Sequence, residues 1–272
     1  MPVDPSAHIA PTAKVHPDAR IGPQTHIGEF CVIEQDVVIG ARCRLEPYVY
    51  IKRWTQIGDD NEISAGAALG TDPFDKNFTG ERSYLVIGSG NRIREHFTIS
   101  RGTAPESVTR VGDGNFIMSS GHIAHNATVG SNTVIASCAL IAGHVTVEDQ
   151  AFVSGGVAVH QYCRIGRLAM VGGGVRVNQD LPPFLLYSGV YASPVGLNVV
   201  GLRRAGFTSE EIAAIKRAYR LLYRSGLKLR EALERIEREV GSPHGRHIVE
   251  FVRGSKRGIA HEREGRPRFR LE

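Results

Sequence analysis

Residues 117–141 read IMSSGHIAHNATVGSNTVIASCALI, and an aliphatic side chain stands at every sixth position of this stretch. The same spacing extends in both directions along most of the chain before residue 178. Six is a multiple of the two-residue period of a strand and not of the 3.6-residue period of a helix, so these side chains share one face of short strands. The aliphatic positions are 9, 15, 21, 27, 33, 39, 45, 51, 57, 63, 69, 87, 93 and 99, and then every sixth residue from 111 to 177.

This period predicts a parallel β-helix, a solenoid in which each coil packs only on its neighbours. Three hexads, or 18 residues, would make one triangular coil. A small or β-branched residue usually stands two positions before each aliphatic one, as Ala127 does before Val129, and both should point inward. Glycine often follows the aliphatic residue, as at Gly22 and Gly130, where we expect corners that need the backbone freedom of glycine.

Two segments break the period and are predicted to leave the coil as loops. They cover residues 71–86 and 104–110, and the first contains proline, glycine and charges of both signs. The period then fades before two consecutive prolines. We therefore expect a mainly β fold, with a β-helix over residues 1–190 and a small α-helical domain over residues 191–272.

The second part of the chain carries helical signals. Thr208 begins a TSEE capping box, and the apolar spacing that follows it predicts a helix over residues 208–224. A second helix is predicted over residues 229–240 and a shorter third over residues 248–252. The charged end of the chain, residues 261–272, is expected to be mobile.

The composition is that of a folded protein whose basic residues gather late in the chain. Apolar residues make up 42% and charged residues 22% of the 272, which is enough apolar surface for a core. The net charge is +5, and much of the excess lies beyond residue 200. An acidic or phosphate-bearing partner is compatible with this, but most of these charges are expected simply to solvate helix faces. The four cysteines form no CxxC pair, so we expect reduced core residues. We find no secretory signal or membrane span, which predicts a cytoplasmic protein.

Four histidines stand where the repeat does not require them: His122, His125, His144 and His160. His125 and His144 are 19 residues apart, one coil plus one, and should lie near the same corner on successive coils. A neutral imidazole can take a proton from a hydroxyl nucleophile, which is the work of a general base. A metal cluster is the rival hypothesis. Because no HxH or HxxxH spacing occurs and no carboxylates are near in sequence, we predict a base and no metal site.

The sequence around these histidines resembles the acyl-ACP:UDP-N-acetylglucosamine O-acyltransferases, which catalyse the first step of lipid A synthesis. The resemblance rests on HIAHNATVG from residue 122, on AGH ending at His144 and on AVHQYCRIG from residue 158, and it continues through QDLPPF and GLRRAGF. It implies that the β-helix is left-handed and that three chains associate as a homotrimer. It also implies no bound cofactor, no nucleic-acid partner, and an acyl donor carried on the phosphopantetheine of acyl carrier protein.

The resemblance also implies roles for individual residues. His125 would be the general base that deprotonates the 3-hydroxyl of the sugar, and the backbone amide of Gly143 would stabilise the oxyanion of the tetrahedral intermediate. We expect His125 to be an exposed residue of a cleft between neighbouring β-helices. Residues implied to position the sugar are Asp75, His122 and His144, and those implied to lie near the nucleotide of the UDP-sugar are His160, Gln161, Asn198 and Arg204.

Four positions depart from the pattern of the family. Asn126 stands in place of an aspartate beside the base, Asn77 in place of a lysine, Ser100 in place of a histidine and Val200 in place of a glutamate. These differences leave two alternatives open: an N-acyltransferase acting on a 3-amino analogue of the sugar nucleotide, and a noncatalytic β-helix that binds a carrier protein or a sugar nucleotide. The glycine run at residues 172–174 matches the region where relatives bind the acyl chain, and it does not define the length of that chain.

Overall fold

The hexads form short strands in the computed structural model, which describes residues 3–262. In most strands the first residue faces outward and the second, the aliphatic one, is buried, as in Arg20–Ile21. This alternation directs one aliphatic side chain per hexad into the core. The strands, in chain order, are β1 (His8–Ile9), β2 (Lys14–Val15), β3 (Arg20–Ile21), β4 (His26–Ile27), β5 (Val32–Ile33), β6 (Val38–Ile39), β7 (Arg44–Leu45), β8 (Tyr50–Ile51), β9 (Thr55–Ile57), β10 (Glu62–Ile63), β11 (Ala68–Thr71), β12 (Tyr84–Ile87), β13 (Arg92–Ile93), β14 (Thr98–Ser100), β15 (Val108–Val111), β16 (Phe116–Ile117), β17 (His122–Ile123), β18 (Thr128–Val129), β19 (Val134–Ile135), β20 (Leu140–Ile141), β21 (Thr146–Val147), β22 (Phe152–Val153), β23 (Ala158–Val159), β24 (Arg164–Ile165), β25 (Met170–Val171), β26 (Arg176–Val177), β27 (Leu185–Ser188) and β28 (Ser193–Leu197).

Within the described residues these strands form three sheets, which are the sides of a triangular prism. Along the solenoid each strand pairs in parallel with the strand three places further on, so a coil closes after three strands. His8 pairs with His26, 18 residues on, as the three-hexad coil predicts. The fold is the left-handed parallel β-helix expected from the repeat and the resemblance. The last strand pair, β27 with β28, is antiparallel and ends the solenoid.

Glycine occupies many corners for a reason that differs from the prediction. We expected a backbone conformation open mainly to glycine, but neither Gly22 nor Gly130 has a positive φ. An added β-carbon on Gly22 would lie 2.6 Å from the carbonyl carbon of Gly40 on the next coil, so the close approach of two coils requires the glycine. The left-handed backbone occurs further along each corner, at residues such as Asn126 and His144.

Both interruptions leave the coil as loops, within limits that differ from the prediction. The first loop covers residues 72–83 rather than 71–86, because both ends of the predicted segment pair in β11 and β12. The second covers residues 101–107 rather than 104–110, because β15 begins at Val108. Both loops leave the same corner of the prism, and this corner carries the candidate site described below.

A ladder of amides interrupts the apolar core of the β-helix. Asn61, Asn91 and Asn115 stack on successive coils, and the side-chain oxygen of each accepts hydrogen bonds from the backbone and side chain of the next. Thr133 ends the ladder by donating to Asn115. All four residues are buried. The ladder therefore satisfies polar groups that would otherwise lack partners in a dry interior.

The described part of the chain ends in four helices, of which one was not expected. Thr208 caps α2 through both hydrogen bonds of the predicted capping box. No helix is predicted where α1 lies, and Asn198 caps it. The last helix extends beyond the predicted residues 248–252, because Ser242 caps it and Pro243 starts it. The helices are α1 (Val199–Arg204), α2 (Ser209–Tyr223), α3 (Leu229–Glu239) and α4 (Pro243–Arg253).

A second apolar core packs these helices against the end of the solenoid, where Phe184 and Ile215 are both buried. No helix of the described residues has the length and apolar character needed to cross a membrane. Most of the end predicted to be mobile, residues 263–272, lies outside the described part of the chain. Just before it, Glu262 forms an ion pair with Arg224.

All four cysteines are free thiols, and one of them is not in the core. Cys31, Cys43 and Cys163 are buried, as predicted, and burial raises the pKa of each thiol. Cys138 is exposed, which contradicts the prediction, because it occupies the left-handed position of a corner rather than an inward-facing strand position.

Candidate active site

The histidine cluster lies at one corner of the β-helix, on successive coils. The corner follows β17, β20 and β23, and the 18-residue coil brings His125, Gly143 and Gln161 to equivalent positions. His144 follows Gly143 in the left-handed conformation, with φ of 59°. The ring centroids of His125 and His144 are 5.3 Å apart, which confirms that the two histidines share a corner.

The side-chain amide of Asn126 fixes the tautomer of His125. Its Oδ1 atom accepts hydrogen bonds from the backbone N–H and the hydroxyl of Thr103, at 3.2 and 2.9 Å. Because an amide oxygen faces these donors, His125 Nδ1, 3.0 Å from the same oxygen, carries a proton and donates it. A neutral imidazole protonated on Nδ1 has a free lone pair on Nε2. His125 is therefore oriented as a base.

His125 is buried, which contradicts the expectation of an exposed residue. Only 6% of it is accessible in the single chain, because Asn126, Gly143 and His144 surround the ring. Its Nε2 atom is nevertheless not fully enclosed, and it makes no hydrogen bond with any described residue. The ring is thus held in place while one nitrogen stays available to a ligand.

Gly143 places an unused hydrogen-bond donor beside this base. An added β-carbon on Gly143 would lie 2.7 Å from His125 Nε2, so the glycine and the imidazole are in direct contact. The Gly143 N–H has no acceptor among residues 3–262, whereas the equivalent N–H groups of Ser131 and Arg167 at other corners bind carboxylates. A free amide next to a base is the kind of donor that stabilises an oxyanion.

His144 packs between the base and an aromatic ring. It meets His125 edge-on and stacks on Tyr162, with ring centroids 4.6 Å apart. Burial lowers the pKa of His144, and the nearby His125 lowers it further, while the charge of Asp75 opposes both effects. The charge of Asp75 therefore acts on His144, and the lowered pKa keeps His144 neutral near pH 7.

His122 lies on β17 of the same coil as His125 and is largely enclosed. Its Nδ1 atom is 2.7 Å from the hydroxyl of Thr98, and the ring of Phe74 stacks on it at 5.0 Å. Burial lowers the pKa of His122, with the contact to Thr98 opposing this effect and His125 adding to it. Its Nε2 atom is buried without a hydrogen-bond partner in the described part of the chain. A polar group of a bound ligand would satisfy this nitrogen.

Sequence reasoning misses four residues of this cluster. Tyr162 could have been found, because it lies one coil after His144 in the repeat. Thr98 pairs with His122 across an interrupted coil, and the second loop brings Thr103 to Asn126, so the hexad period points to neither. Phe74 comes from the first loop, and no period locates a loop residue. The structure places it with 80% of its surface exposed.

The residues implied to bind the nucleotide fall into two groups. His160 and Gln161 are exposed at the same corner, one coil beyond Gly143, and His160 Nδ1 is 3.2 Å from the Gln161 carbonyl oxygen. Asn198 caps the start of α1 and Arg204 is its last residue. Within residues 3–262 neither forms a hydrogen bond, ion pair or ring contact with the histidine cluster.

Asn198 already has a structural task within one chain. Its Oδ1 atom accepts from the N–H of Gly201 at the start of α1, and its Nδ2 atom donates to the carbonyl of Leu168 in the β-helix, each at 3.0 Å. Arg204 is exposed and has no carboxylate partner in the described part of the chain. Asn198 therefore holds α1 against the solenoid, and α1 presents Arg204 to solvent.

The remaining departures from the family pattern lie outside the cluster. Ser100 is fully buried, and its hydroxyl contacts that of Thr71 at 3.1 Å. Asn77 and Val200 are exposed.

Within residues 3–262 no group of three or more histidine, cysteine or acidic side chains is arranged to hold a metal ion. The corner thus offers a base, a free amide and neutral histidines, which can together deprotonate a nucleophile and stabilise an oxyanion.

Comparison with known proteins extends the similarity to the whole chain. A family model described as UDP N-acetylglucosamine O-acyltransferase, domain 2, matches residues 180–260. The acyl-[acyl-carrier-protein]–UDP-N-acetylglucosamine O-acyltransferase of Tolumonas auensis is 54% identical over 259 residues, which cover 94% of this chain and 98% of that protein. The protein of the same name from Thermodesulfovibrio yellowstonii is 43% identical over 232 residues, or 85% and 90% of the two chains.

Solved structures of UDP-N-acetylglucosamine acyltransferases are also similar to this chain. The crystal structure of a UDP-N-acetylglucosamine acyltransferase from Bacteroides fragilis has a TM-score of 0.91 at 40% identity and covers 93% of this chain and 99% of that one. The corresponding structure from Francisella novicida has a TM-score of 0.86 at 37% identity, with coverage of 96% and 95%. The similarity therefore includes both the β-helix and the terminal helices.

Proposed function

The chain belongs to the family of acyl-ACP–UDP-N-acetylglucosamine O-acyltransferases, and we propose that it transfers a 3-hydroxyacyl chain from acyl carrier protein to the 3-hydroxyl of UDP-N-acetylglucosamine. This reaction is the first step of lipid A synthesis. The observation that carries the proposal is the hydrogen-bond chain from Thr103 through Asn126 to His125, directly beside the free amide of Gly143.

In the proposed reaction His125 moves one proton twice. Its Nε2 atom takes the proton of the sugar 3-hydroxyl as the oxygen attacks the carbonyl carbon of the acyl thioester. The carbon–oxygen bond forms and the carbonyl electrons move to the oxygen. When that intermediate collapses, the carbon–sulfur bond breaks and the imidazolium returns the proton to the departing phosphopantetheine sulfur. The products are the ester and a free thiol, so protons and electrons balance.

The Gly143 amide would stabilise the intermediate. Negative charge develops on the former carbonyl oxygen, and a fixed N–H donor stabilises it without reorganisation. Asn126 holds Nδ1 throughout, so the lone pair used in catalysis stays on Nε2. Because an amide is neutral, Asn126 orients the ring without offsetting the positive charge that the ring gains.

The sugar would be positioned by His122, His144 and Asp75. The unpartnered Nε2 atom of His122 supports this role, because a sugar hydroxyl would give it the hydrogen bond that it lacks. The charge of Asp75 acts on the pKa of His144, and we propose that both side chains contact one sugar ring. Neutral histidines suit an uncharged sugar, since they both donate and accept hydrogen bonds.

A homotrimer with sites between neighbouring β-helices is part of the proposal. Within residues 3–262 Asn198 and Arg204 form no hydrogen bond or ring contact with the histidine cluster, so in this proposal they would meet the nucleotide in a cleft between two chains. An exposed arginine suits a phosphate of that nucleotide, which would also contact His160 and Gln161. Asn198 would act by holding the first turn of α1.

The donor would be acyl carrier protein, and no bound cofactor is required. The acyl group arrives as a thioester on phosphopantetheine, and the site supplies the base and the oxyanion donor. Exposed basic residues of the helical part, such as Arg203 and Arg220, suit an acidic carrier protein. We also propose a cytoplasmic location.

Purified protein tests the function directly. It is offered acyl carrier proteins with chains of several lengths, together with UDP-N-acetylglucosamine or its 3-amino analogue, and product is measured. We expect esterification of the hydroxyl acceptor. Preferred acylation of the amine would instead establish an N-acyltransferase, and no product from any pair would favour a binding module.

His125→Gln tests the mechanism, and it is preferable to alanine because His125 is buried. Glutamine fills part of the same space but cannot accept a proton at neutral pH, so turnover should fall by roughly 100-fold or more. His26→Gln is the control, because His26 is an exposed histidine on another side of the solenoid. Turnover near the wild-type rate in folded His125→Gln would overturn the mechanism.

A further inference from the structure

Arg101 is a charged residue that lies fully buried directly after β14, at the same corner as His125. None of its guanidinium nitrogens makes a hydrogen bond of normal geometry within residues 3–262. A buried charge without compensation is costly, so a charge or ring partner is expected. The structure supplies both kinds of partner.

The partners of Arg101 come from the first loop and from the solenoid. Its Nη1 atom lies 2.7 Å from Asp72 Oδ1, which makes an ion pair. Its guanidinium carbon is 5.1 Å from the ring centroid of Trp54 and 5.2 Å from that of Phe78. Trp54 belongs to the solenoid, whereas Asp72 and Phe78 belong to the loop of residues 72–83. Arg101 therefore joins the loop to the wall of the β-helix.

The two loop contacts of Arg101 lie on either side of the part of the loop that reaches the site. Between Asp72 and Phe78 lie Phe74, which stacks on His122, and Asp75, whose charge acts on His144. Asp72 also forms an ion pair with Lys52 at 2.7 Å, and Pro73 is buried. Beyond them, Phe74 is exposed and Asp75 bonds within the loop, to the N–H of Asn77. Fixing both ends of a short segment fixes its middle.

We propose that Arg101 is a positioning residue that holds the 72–83 loop closed, so that Phe74 and Asp75 meet the sugar at His122 and His144. The inference rests on the proposed function for the identity of the sugar. Arginine suits the task because its planar guanidinium lies against both rings while it pairs with the carboxylate, which a lysine ammonium does not match. Loss of Arg101 would loosen the loop without removing a group that touches the substrate.

Trypsin digestion tests whether Arg101 holds the loop, and it does so without measuring catalysis. The loop contains the exposed residue Lys76, after which trypsin can cleave. In Arg101→Met the cleavage rate after Lys76 should rise by about tenfold or more, as expected when a local opening equilibrium shifts. The cleavage rate of Arg101→Lys should lie between those of Arg101→Met and the wild type. Arg42→Met is the matched control, because Arg42 forms an ion pair with Asp60 on the surface of a different corner.

Steady-state kinetics test the positioning role. In Arg101→Met the KM for UDP-N-acetylglucosamine should rise by roughly 10- to 100-fold, because the loop no longer holds Asp75 over the sugar. The KM for acyl carrier protein should stay unchanged, which a general loss of structure would not produce. Arg42→Met should leave both values unchanged. Wild-type cleavage after Lys76 and a wild-type KM for the sugar nucleotide in Arg101→Met would overturn the proposal.

Phe78→Leu covers the case in which Arg101→Met does not fold. It removes one of the two rings that contact Arg101 but leaves the buried arginine and its ion pair intact. Smaller increases in the cleavage rate after Lys76 and in the KM for UDP-N-acetylglucosamine are therefore expected. Unchanged cleavage and an unchanged KM in Phe78→Leu would also overturn the proposal. If the wild-type protein transfers no acyl group, the proposed function fails, whereas the cleavage rates still decide whether Arg101 holds the loop.

Discussion

The imidazole of His125 covers Gly143 so closely that a β-carbon on the glycine would lie 2.5 Å from His125 Cε1. Non-bonded heavy atoms essentially never lie that close to a β-carbon. Gly143 has no positive φ, so its backbone does not require glycine. Space for the imidazole of the preceding coil is therefore the reason for glycine at this position.

Gly143→Ala should inactivate the enzyme while keeping the fold. The new methyl group would push the His125 ring from its contact with Asn126 and out of line with the Gly143 amide. Displacement of a base by about 1 Å costs on the order of 100-fold in kcat. Initial rates at saturating substrates, measured together with thermal unfolding, check this expectation.

Gly130→Ala is the control for the strain that such a methyl group introduces. Its β-carbon would lie 2.3 Å from Asp149 Oδ1 and 2.8 Å from the Asp149 nitrogen, at a corner without a histidine. Both variants should unfold at lower temperature, but only Gly143→Ala should lose kcat per folded molecule. Equal kcat in the two variants would show that His125 tolerates the displacement.

Asn126→Asp should raise activity rather than lower it. The new carboxylate would keep the hydrogen bonds to His125 and Thr103, and its charge would stabilise the imidazolium that forms during the reaction. We expect kcat to rise by about tenfold, and the acidic limb of the kcat/KM profile to move to higher pH. Rates measured across the pH range check both effects.

Asn132→Asp adds the same charge at another corner and is the matched control. Asn132 also has a left-handed backbone, with φ of 56°, and it is exposed. Its pH profile should match that of the wild type. A profile for Asn126→Asp that also matches the wild type would mean that the Asn126 amide does not control the base.

The repeat makes the fold predictable from the sequence, because one physical requirement recurs at every coil. Each hexad must bury one aliphatic residue, so strand positions, coil length and the stacking of His125 on Gly143 all follow from counting. Helix α2 is predictable for a similar reason, since the capping box of Thr208 with Glu211 is a signal within a few residues of sequence. These features depend on neighbours in sequence or on a fixed period.

The features that counting misses depend on contacts without a period. The two loops shift the register, so nothing in the hexads places Thr103 against Asn126 or Asp72 against Arg101. Counting places Gly143 and His144 beside His125, but it does not show how closely they pack on the ring, which is why the burial of His125 is not predicted. The helix α1 has six residues, too few for a clear periodic pattern, and its cap Asn198 is recognisable only from its hydrogen bonds.

The amide ladder in the core should make Asn91→Ala strongly destabilising. Asn91 Oδ1 accepts from the backbone and side chain of Asn115, and its own N–H groups bond to Asn61. Alanine would remove the acceptor of the backbone N–H and the side-chain amide of Asn115, while Asn61 Oδ1 would keep the backbone N–H of residue 91. Each unpaired buried group costs about 1–3 kcal/mol of unfolding free energy. Denaturant unfolding of Asn91→Ala and of Asn178→Ala, an exposed position, gives the comparison. Equal stability of the two variants would mean that water fills the gap.

Glu148 should make the attachment of α4 to the β-helix dependent on pH. Its carboxylate accepts from His247 Nε2 of α4 and from the backbone N–H of Arg167, each at 2.8 Å. Burial alone would raise the pKa of Glu148, but these hydrogen bonds and the charge of Arg164 hold the pKa below its ordinary value. Because the pKa of Glu148 is lower in the folded protein than in the unfolded chain, its contribution to stability is complete at pH values above the unfolded pKa. That contribution is lost as the pH falls through the folded pKa.

Glu148→Gln should therefore lower the free energy of unfolding near neutral pH by roughly 2 kcal/mol, the usual contribution of hydrogen bonds to a charged group. The difference from the wild type should shrink as pH falls below the ordinary glutamate range, because protonated Glu148 and glutamine are both neutral. Glu239→Gln, which alters an exposed pair with Arg235, should change stability little at any pH. A stability difference between Glu148→Gln and the wild type that persists unchanged into acid would show that packing, and not the charge of Glu148, holds α4 in place.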